Sequence, residues 1–349
     1  MRAKIYLNAR FAGQKVTGVG RFAEEISARL LPLIARDVRF EALVMAPGSP
    51  LSLQASVLWE QFVLPFRSRG GFLVNLANTG PLALRRQLVV VCDASVFAVP
   101  ENYSVLFRAW YHVALNVLLR RAERIVTISQ FSRAELARHC GVPESRIDVI
   151  PCGCDHVDTV TADDSFPARA GLARGRYVLA VGTPSGAKNL AVLGEAMARL
   201  RDNGLQLALA GNLEPSVFRK PGSELPAVAR ALGYVSDPEL KALYEQALCL
   251  VFPSRYEGFG LPPLEAMRCG CPVVASDAAS LPEVCGDAAL FAGPDDSERI
   301  ARHIGDLAGS EALREGLRAR GRACAERYTW GAAAGRLFEI IAATAAPAS

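Results

Sequence analysis

Two series of short apolar runs, each run followed by a stretch of helical spacing, are separated by one polar segment, Asp155 to Arg176. Apolar runs of four to six residues alternating with helices are what a parallel sheet covered on both faces demands, because its strands lose both faces to the core. The first series reads as strands at Lys4 to Ala9, Phe40 to Met45, Gly71 to Asn75, Gln87 to Cys92, Arg124 to Ser129 and Asp148 to Pro151. A loop from Ala12 to Gly20 and a helix from Arg21 to Ile34 follow the first of them. The second series has strands at Tyr177 to Val181, Gln206 to Ala210, Cys249 to Phe252 and Pro272 to Ala275. Its helices are expected at Leu190 to Arg201, Asp237 to Gln246 and Pro262 to Arg268, with Glu311 to Glu326 and Gly331 to Ala343 near the end.

The expected architecture is α/β, with two Rossmann-like, doubly wound domains. Residues 1–160 form the first and 170–329 the second, and a last helix, 330–345, packs back on the first. A chain of 349 residues, 51% apolar and 21% charged, supplies two cores rather than one. The tail from Ala342 to Ser349 is expected to fray.

The charge balance excludes one class of partner. Lysine and arginine total 39 against 35 acidic residues, a net charge of +4 without a basic cluster, so no nucleic acid is expected. Nine cysteines, an odd and scattered set without a C-x-x-C pair, read as reduced cytoplasmic usage. No apolar run reaches the about 20 residues that cross a bilayer. The string Cys152, Gly153, Cys154, Asp155, His156 has no second ligand cluster, and packing cysteines are preferred to a metal site. Asp155 and Asp158 read as linker solvation, and no metal is expected.

The chemistry-bearing residues lie after two strands of the second series. SRYEGFGLPPLE, Ser254 to Glu265, leaves the strand at Cys249 to Phe252 and enters a helix. Gly258 and Gly260 let backbone approach a ligand, and amides ahead of a helix receive phosphate oxygens. Glu257 and Glu265, on either side of this turn, can accept hydrogen bonds from hydroxyls of a hexose and a ribose. GTPSGAKN, Gly182 to Asn189, places Lys188 where it can neutralise a phosphate. Gly18 and Gly20 resemble a nucleotide loop only weakly, since the full G-x-G-x-x-G pattern is missing.

These segments together resemble the family 4 glycosyltransferases, retaining enzymes of the GT-B fold, with a mannosyltransferase-like cast. The resemblance rests on TGVGRFAEEI, TISQFSRAEL, VIPCGCD, VGTPSGAKNL and VFPSRYEGFGLPPLEAMRCGCPVVASD. It implies two domains facing each other across a cleft, with a nucleotide sugar, GDP- or UDP-linked, as co-substrate and no other cofactor. The implied catalytic residues are Glu257, facing the donor sugar, and Lys188, stabilising the departing diphosphate. The implied substrate-binding set adds Gly18, Gly20, Asp93, Gly182, Thr183, Asn189, Val235 beside the nucleobase, Gly258, Phe259, Gly260, Leu261, and Glu265 on the ribose. Two positions depart from the pattern: Cys92 precedes Asp93 where many relatives carry histidine, and Thr183 stands where arginine is common.

The implied function is transfer of a hexose, in the first instance mannose from GDP-mannose, to a saccharide or lipid-linked saccharide in polysaccharide, lipopolysaccharide or glycolipid assembly. A sugar-nucleotide-binding protein with weak or lost catalysis, or an epimerase of the same fold, is the alternative. The stretch Tyr103 to Arg124 mixes aromatic and arginine residues. Packing against a sheet is the preferred reading, and peripheral contact with an anionic membrane is the hypothesis beside it.

Overall fold

A computed structural model describes residues 2–12, 17–47, 53–211 and 226–345. The chain divides into two compact units: Met1–Phe97 with Arg108–Gly153 and Thr329–Ser349, and Ala98–Phe107 with Cys154–Tyr328.

The first unit holds β1 (Ala3–Asn8), β2 (Phe40–Met45), β3 (Phe72–Asn75), β4 (Gln87–Val90), β5 (Arg124–Thr127) and β6 (Ile147–Val149). They form one parallel sheet in the order β2-β1-β3-β4-β5-β6. Strands β3 and β4 are buried along their whole length, apolar except for Asn75 and Gln87, which meet each other in a hydrogen bond of 3.0 Å from Asn75 Nδ2 to Gln87 Oε1. Leu115, Leu118 and Leu119 of the helix Val105–Arg121 pack with Val89, Ile125 and Leu136 in its core.

The helix after β1 starts earlier than the spacing predicts. It runs Gly18–Arg36, with Thr17 as N-cap accepting from the Gly20 amide at 3.2 Å. Gly18 and Gly20 therefore lie in its first turn, not in a loop. The last helix, Trp330–Ala345, buries Trp330, Ala333, Ala334, Leu337, Ile340 and Ile341, the i, i+3, i+4, i+7 stripe of a helix docked on one face. Trp330 meets Phe22 edge-on with ring centroids 5.9 Å apart, and Phe338 meets Phe40 at 6.3 Å. The helix is ordered to Ala345; the rest of the tail expected to fray lies outside the described residues.

The second unit holds β7 (Tyr177–Val181), β8 (Gln206–Ala210), β9 (Ala229–Gly233), β10 (Cys249–Phe252), β11 (Val273–Ser276) and β12 (Ala289–Ala292). All six are parallel, in the order β12-β11-β10-β7-β8-β9. The connection reverses direction between β7 and β10, which are paired through Val178 with Cys249 and Leu179 with Leu250. Chain leaving two such neighbours at their carboxyl ends diverges to opposite sides and opens a crevice between the loops. The core beside these strands gathers Val178, Leu193, Leu207, Leu209, Val251, Val274, Ile300 and Ile304.

Candidate donor site

The loops that diverge from β7 and β10 are GTPSGAKN and SRYEGFGLPPLE. The first is closely built. Gly182 donates to Ala210 at 2.9 Å, and a Cβ at Gly211 would lie 2.3 Å from the Gly182 oxygen, so β8 can only leave the sheet here as glycine. Lys188 and Asn189 donate to the Ser185 carbonyl at 3.1 and 3.2 Å, closing a turn four residues ahead of the helix Val192–Ala198. Lys188 thus sits in a turn ahead of a helix that begins at Val192, two residues later than the spacing predicts.

The two loops are fastened to each other. Arg255 donates its amide to the Ala187 carbonyl at 2.8 Å and its guanidinium to the Gly186 carbonyl at 3.1 Å, while ion-pairing with Asp295. The Asn189 side chain donates to the Pro294 carbonyl at 2.6 Å. Lys188 then reaches across to the second loop: its Nζ stands 4.7 Å above the Phe252 ring and 2.5 Å from Glu257 Oε1. Both side chains keep partial contact with solvent, at 24% and 14% exposure, so the pair is accessible to a ligand.

The second loop ends in Gly260, the N-cap of the helix Leu261–Arg268, at φ +102°. A Cβ there would meet Leu281 Cδ2 at 2.6 Å, so glycine is required for both backbone and space. Pro262 and Pro263 follow and bring no amide hydrogen, so donors at this helix start are confined to the amides up to Leu261. Ser280 fixes the loop by donating to the Glu257 carbonyl at 2.9 Å. Phe259 is buried edge-on against Tyr328, with centroids 5.7 Å apart. Its side chain belongs to the core.

Glu265 is buried at 7% exposure, in contrast to a solvated acid. His156 Nε2 lies 3.1 Å from its Oε1, and the Tyr244 hydroxyl donates to its Oε2 at 3.0 Å. Burial, and next the charge of Glu265, push the Tyr244 phenol well above its ordinary range, so it stays a donor. The sequence marks neither partner, since His156 stands out there only as the end of the string Cys152 to His156. Cys154, its neighbour in that string, is buried and donates to the Ala325 carbonyl at 3.4 Å. Asp158 is half exposed, as a linker carboxylate should be, and also forms a two-armed pair with Arg268, Nε to Oδ1 at 3.1 Å and Nη2 to Oδ2 at 2.5 Å.

Val235 is half-buried just past the carboxyl end of β9, beside Ser236, whose backbone and hydroxyl are both bound by Glu239 in a capping box. Thr183 is half-buried after Gly182. Gly18, Gly20 and Asp93 belong to the first unit; Asp93 Oδ1 accepts from the Ser95 amide at 2.8 Å. Cys92 before it is buried, and that burial pushes its thiol far up.

Residues 165–323 match the family described as Glycosyl transferases group 1, and residues 70–158 match Glycosyltransferase Family 4. An O-antigen chain mannosyltransferase B of Escherichia coli is 36% identical over 264 residues, covering 72% of this chain and 68% of that one. The chain belongs to the family 4 glycosyltransferases. A GDP-mannose:cellobiosyl-diphosphopolyprenol alpha-mannosyltransferase of Komagataeibacter xylinus is 29% identical, over 68% of this chain and 61% of its own. The enzyme's fold is GT-B: HepE of Anabaena, solved in complex with UDP-glucose, superposes with a TM-score of 0.75 over 97% of this chain and 99% of that one, at 18% identity.

Proposed function

We propose that this glycosyltransferase moves mannose from GDP-mannose to a saccharide or lipid-linked saccharide with retention at the sugar's C1, in polysaccharide or glycolipid assembly and without a metal. The carrying observation is the Lys188–Glu257 pair at the carboxyl ends of β7 and β10. A cation and a carboxylate side by side, backed by backbone amides before a helix, suit the diphosphate and the hexose of one ligand. The mannosyl relatives support the sugar, and the Komagataeibacter relative's name supports the guanine nucleotide.

In this reading Lys188 and the amides of Gly258 to Leu261 take the diphosphate, Glu257 accepts from hexose hydroxyls, Glu265 from the ribose, and Val235 lies beside the base. Gly182, Thr183 and Asn189 shape the phosphate side. Gly18, Gly20 and Asp93 are carried as donor-contacting residues on the family resemblance alone. As the bond from C1 to the β-phosphate oxygen breaks, its electron pair stays on that oxygen, where Lys188 and the amides meet the growing charge. An acceptor hydroxyl attacks C1 from the same face, and its proton passes to the departing phosphate oxygen. Glu257 holds and stabilises the cationic sugar rather than attacking it.

Among the described residues no helix is long and apolar enough to cross a membrane. The helix Val105–Arg121 buries its second half, yet Leu106 (85% exposed), Trp110 (37%) and Val113 (60%) line one side of its first half at i, i+4, i+7 spacing. We propose peripheral contact of this stripe with an anionic cytoplasmic membrane face. Sedimentation with phosphatidylglycerol vesicles tests it: pelleting that Leu106→Ser with Val113→Ser abolishes supports it, and pelleting equal without vesicles refutes it.

The donor assignment is tested by product analysis. Release of GDP and formation of an α-mannoside from GDP-mannose, with UDP-glucose inert, is expected; turnover of UDP-glucose in preference would overturn the donor.

A further inference from the structure

The carboxylate of Glu265 is not left to orient itself. The turn Asp155–Thr159, which carries His156, is bolted to both helices that meet at this carboxylate. Lys241 donates to the Val157 and Val160 carbonyls at 2.9 and 2.8 Å, three residues before Tyr244 on the same helix. Arg268 pairs with Asp158, three residues after Glu265 on its own helix. Residues three apart share a helix face, so each bolt lies beside the group it serves. Thr159 closes the turn by donating to the His156 carbonyl at 2.9 Å.

One donor thus approaches each oxygen of Glu265, His156 on Oε1 and Tyr244 on Oε2. A carboxylate offers about four lone-pair positions over its two oxygens, so each oxygen retains acceptor capacity toward a neighbour. Two acceptors fixed side by side match two hydroxyls on adjacent carbons. We propose that His156 is a positioning residue which, with Tyr244, sets the Glu265 carboxylate to accept from the vicinal diol of the donor's ribose, and so sets the preference for ribonucleotide over deoxyribonucleotide. This rests on the reading that Glu265 faces that ribose.

The experiment compares the affinities of GDP, 2′-deoxy-GDP and 3′-deoxy-GDP by titration calorimetry for wild type, His156→Ala, His156→Gln, Tyr244→Phe and Glu265→Gln, with donor KM and kcat alongside. Wild type should prefer GDP to the deoxy compounds by about 10-fold or more, the scale of hydrogen bonds lost at a polar site. His156→Ala should weaken GDP while leaving the deoxy compounds within about 2-fold, collapsing the ratio and raising donor KM more than it lowers kcat. His156→Gln, whose amide can donate where the imidazole did, should restore most of the ratio. Equal weakening of all three ligands by His156→Ala, or an intact ratio, overturns the proposal when Glu265→Gln does collapse it. An intact ratio in Glu265→Gln, or no ribose preference in wild type, instead sinks the ribose reading itself. Should His156→Ala not fold, Tyr244→Phe and His156→Leu, which fills the same buried space without a donor, carry the same comparison: a ratio unmoved by both, against a collapse in Glu265→Gln, is the overturning result.

Discussion

Lys188 Nζ rests 2.5 Å from Glu257 Oε1, so the residue proposed for the diphosphate and the residue proposed for the sugar neutralise each other across two loops. Binding a donor would exchange this pair for two contacts with one ligand. Removing either partner therefore has two effects, a lost ligand contact and an uncompensated neighbour.

Lys188→Ala is expected to lower kcat by about 10²- to 10³-fold, the scale seen when one group stabilising developing charge is removed. Glu257→Gln should cost a comparable amount. Because the two touch, the double variant should lose less than the two single losses combined. Steady-state kinetics on the three variants checks this.

Gly260→Ala places a methyl 2.6 Å from Leu281 Cδ2 at a φ of +102°. Strain and overpacking each cost about 1–3 kcal/mol, so thermal unfolding should shift down by several degrees, with donor affinity falling because the amides before the helix move.

Trp330→Ala removes the largest fully buried side chain from the seam between the helices Gly18–Arg36 and Trp330–Ala345. A loss of about 3–5 kcal/mol is expected from denaturant titration. An effect under about 1 kcal/mol would mean that the last helix contributes little to the first unit.

The Asp158 carboxyl is held below its usual value, first by its hydrogen bonds from Arg268 and then by that cation's charge. A folded value below the unfolded one gives stability that is complete above the unfolded value of about 4 and vanishes as pH falls through the folded one. Because Asp158 is half exposed, the contribution is under about 1 kcal/mol. The melting-temperature gap between wild type and Asp158→Asn should be small at pH 7 and close below pH 4.

The sequence disclosed the strands that are buried on both faces and little of what lies at their margins. Strand β9 escaped notice because its residues, Ala229–Gly233, are mostly part-exposed and carry no apolar run. The segment Leu53–Arg67 was obscured because Leu58, Phe62 and Phe66 are exposed while Trp59 and Leu64 are buried, which blurs any helical stripe. At the site, Lys188, Glu257 and the glycines were legible because loop, charge and spacing lie within short segments. His156 and Tyr244 were not, since they meet Glu265 from 109 and 21 residues away, and only the packing of the turn Asp155–Thr159 brings the imidazole there. Asn189 and Arg255 were likewise recognisable as polar loop residues, but their role in tying the loops through Pro294 and Asp295 is a matter of tertiary contact.

The central claim is that the crevice between β7 and β10 binds the nucleotide sugar through Lys188. Titration calorimetry of GDP-mannose into wild type and Lys188→Ala addresses it most directly. Saturable one-to-one binding to wild type that weakens by about 10-fold or more in the variant is the predicted result, the scale of a charge-assisted contact to phosphate. Equal affinity in the two proteins, with the variant folded, would contradict it.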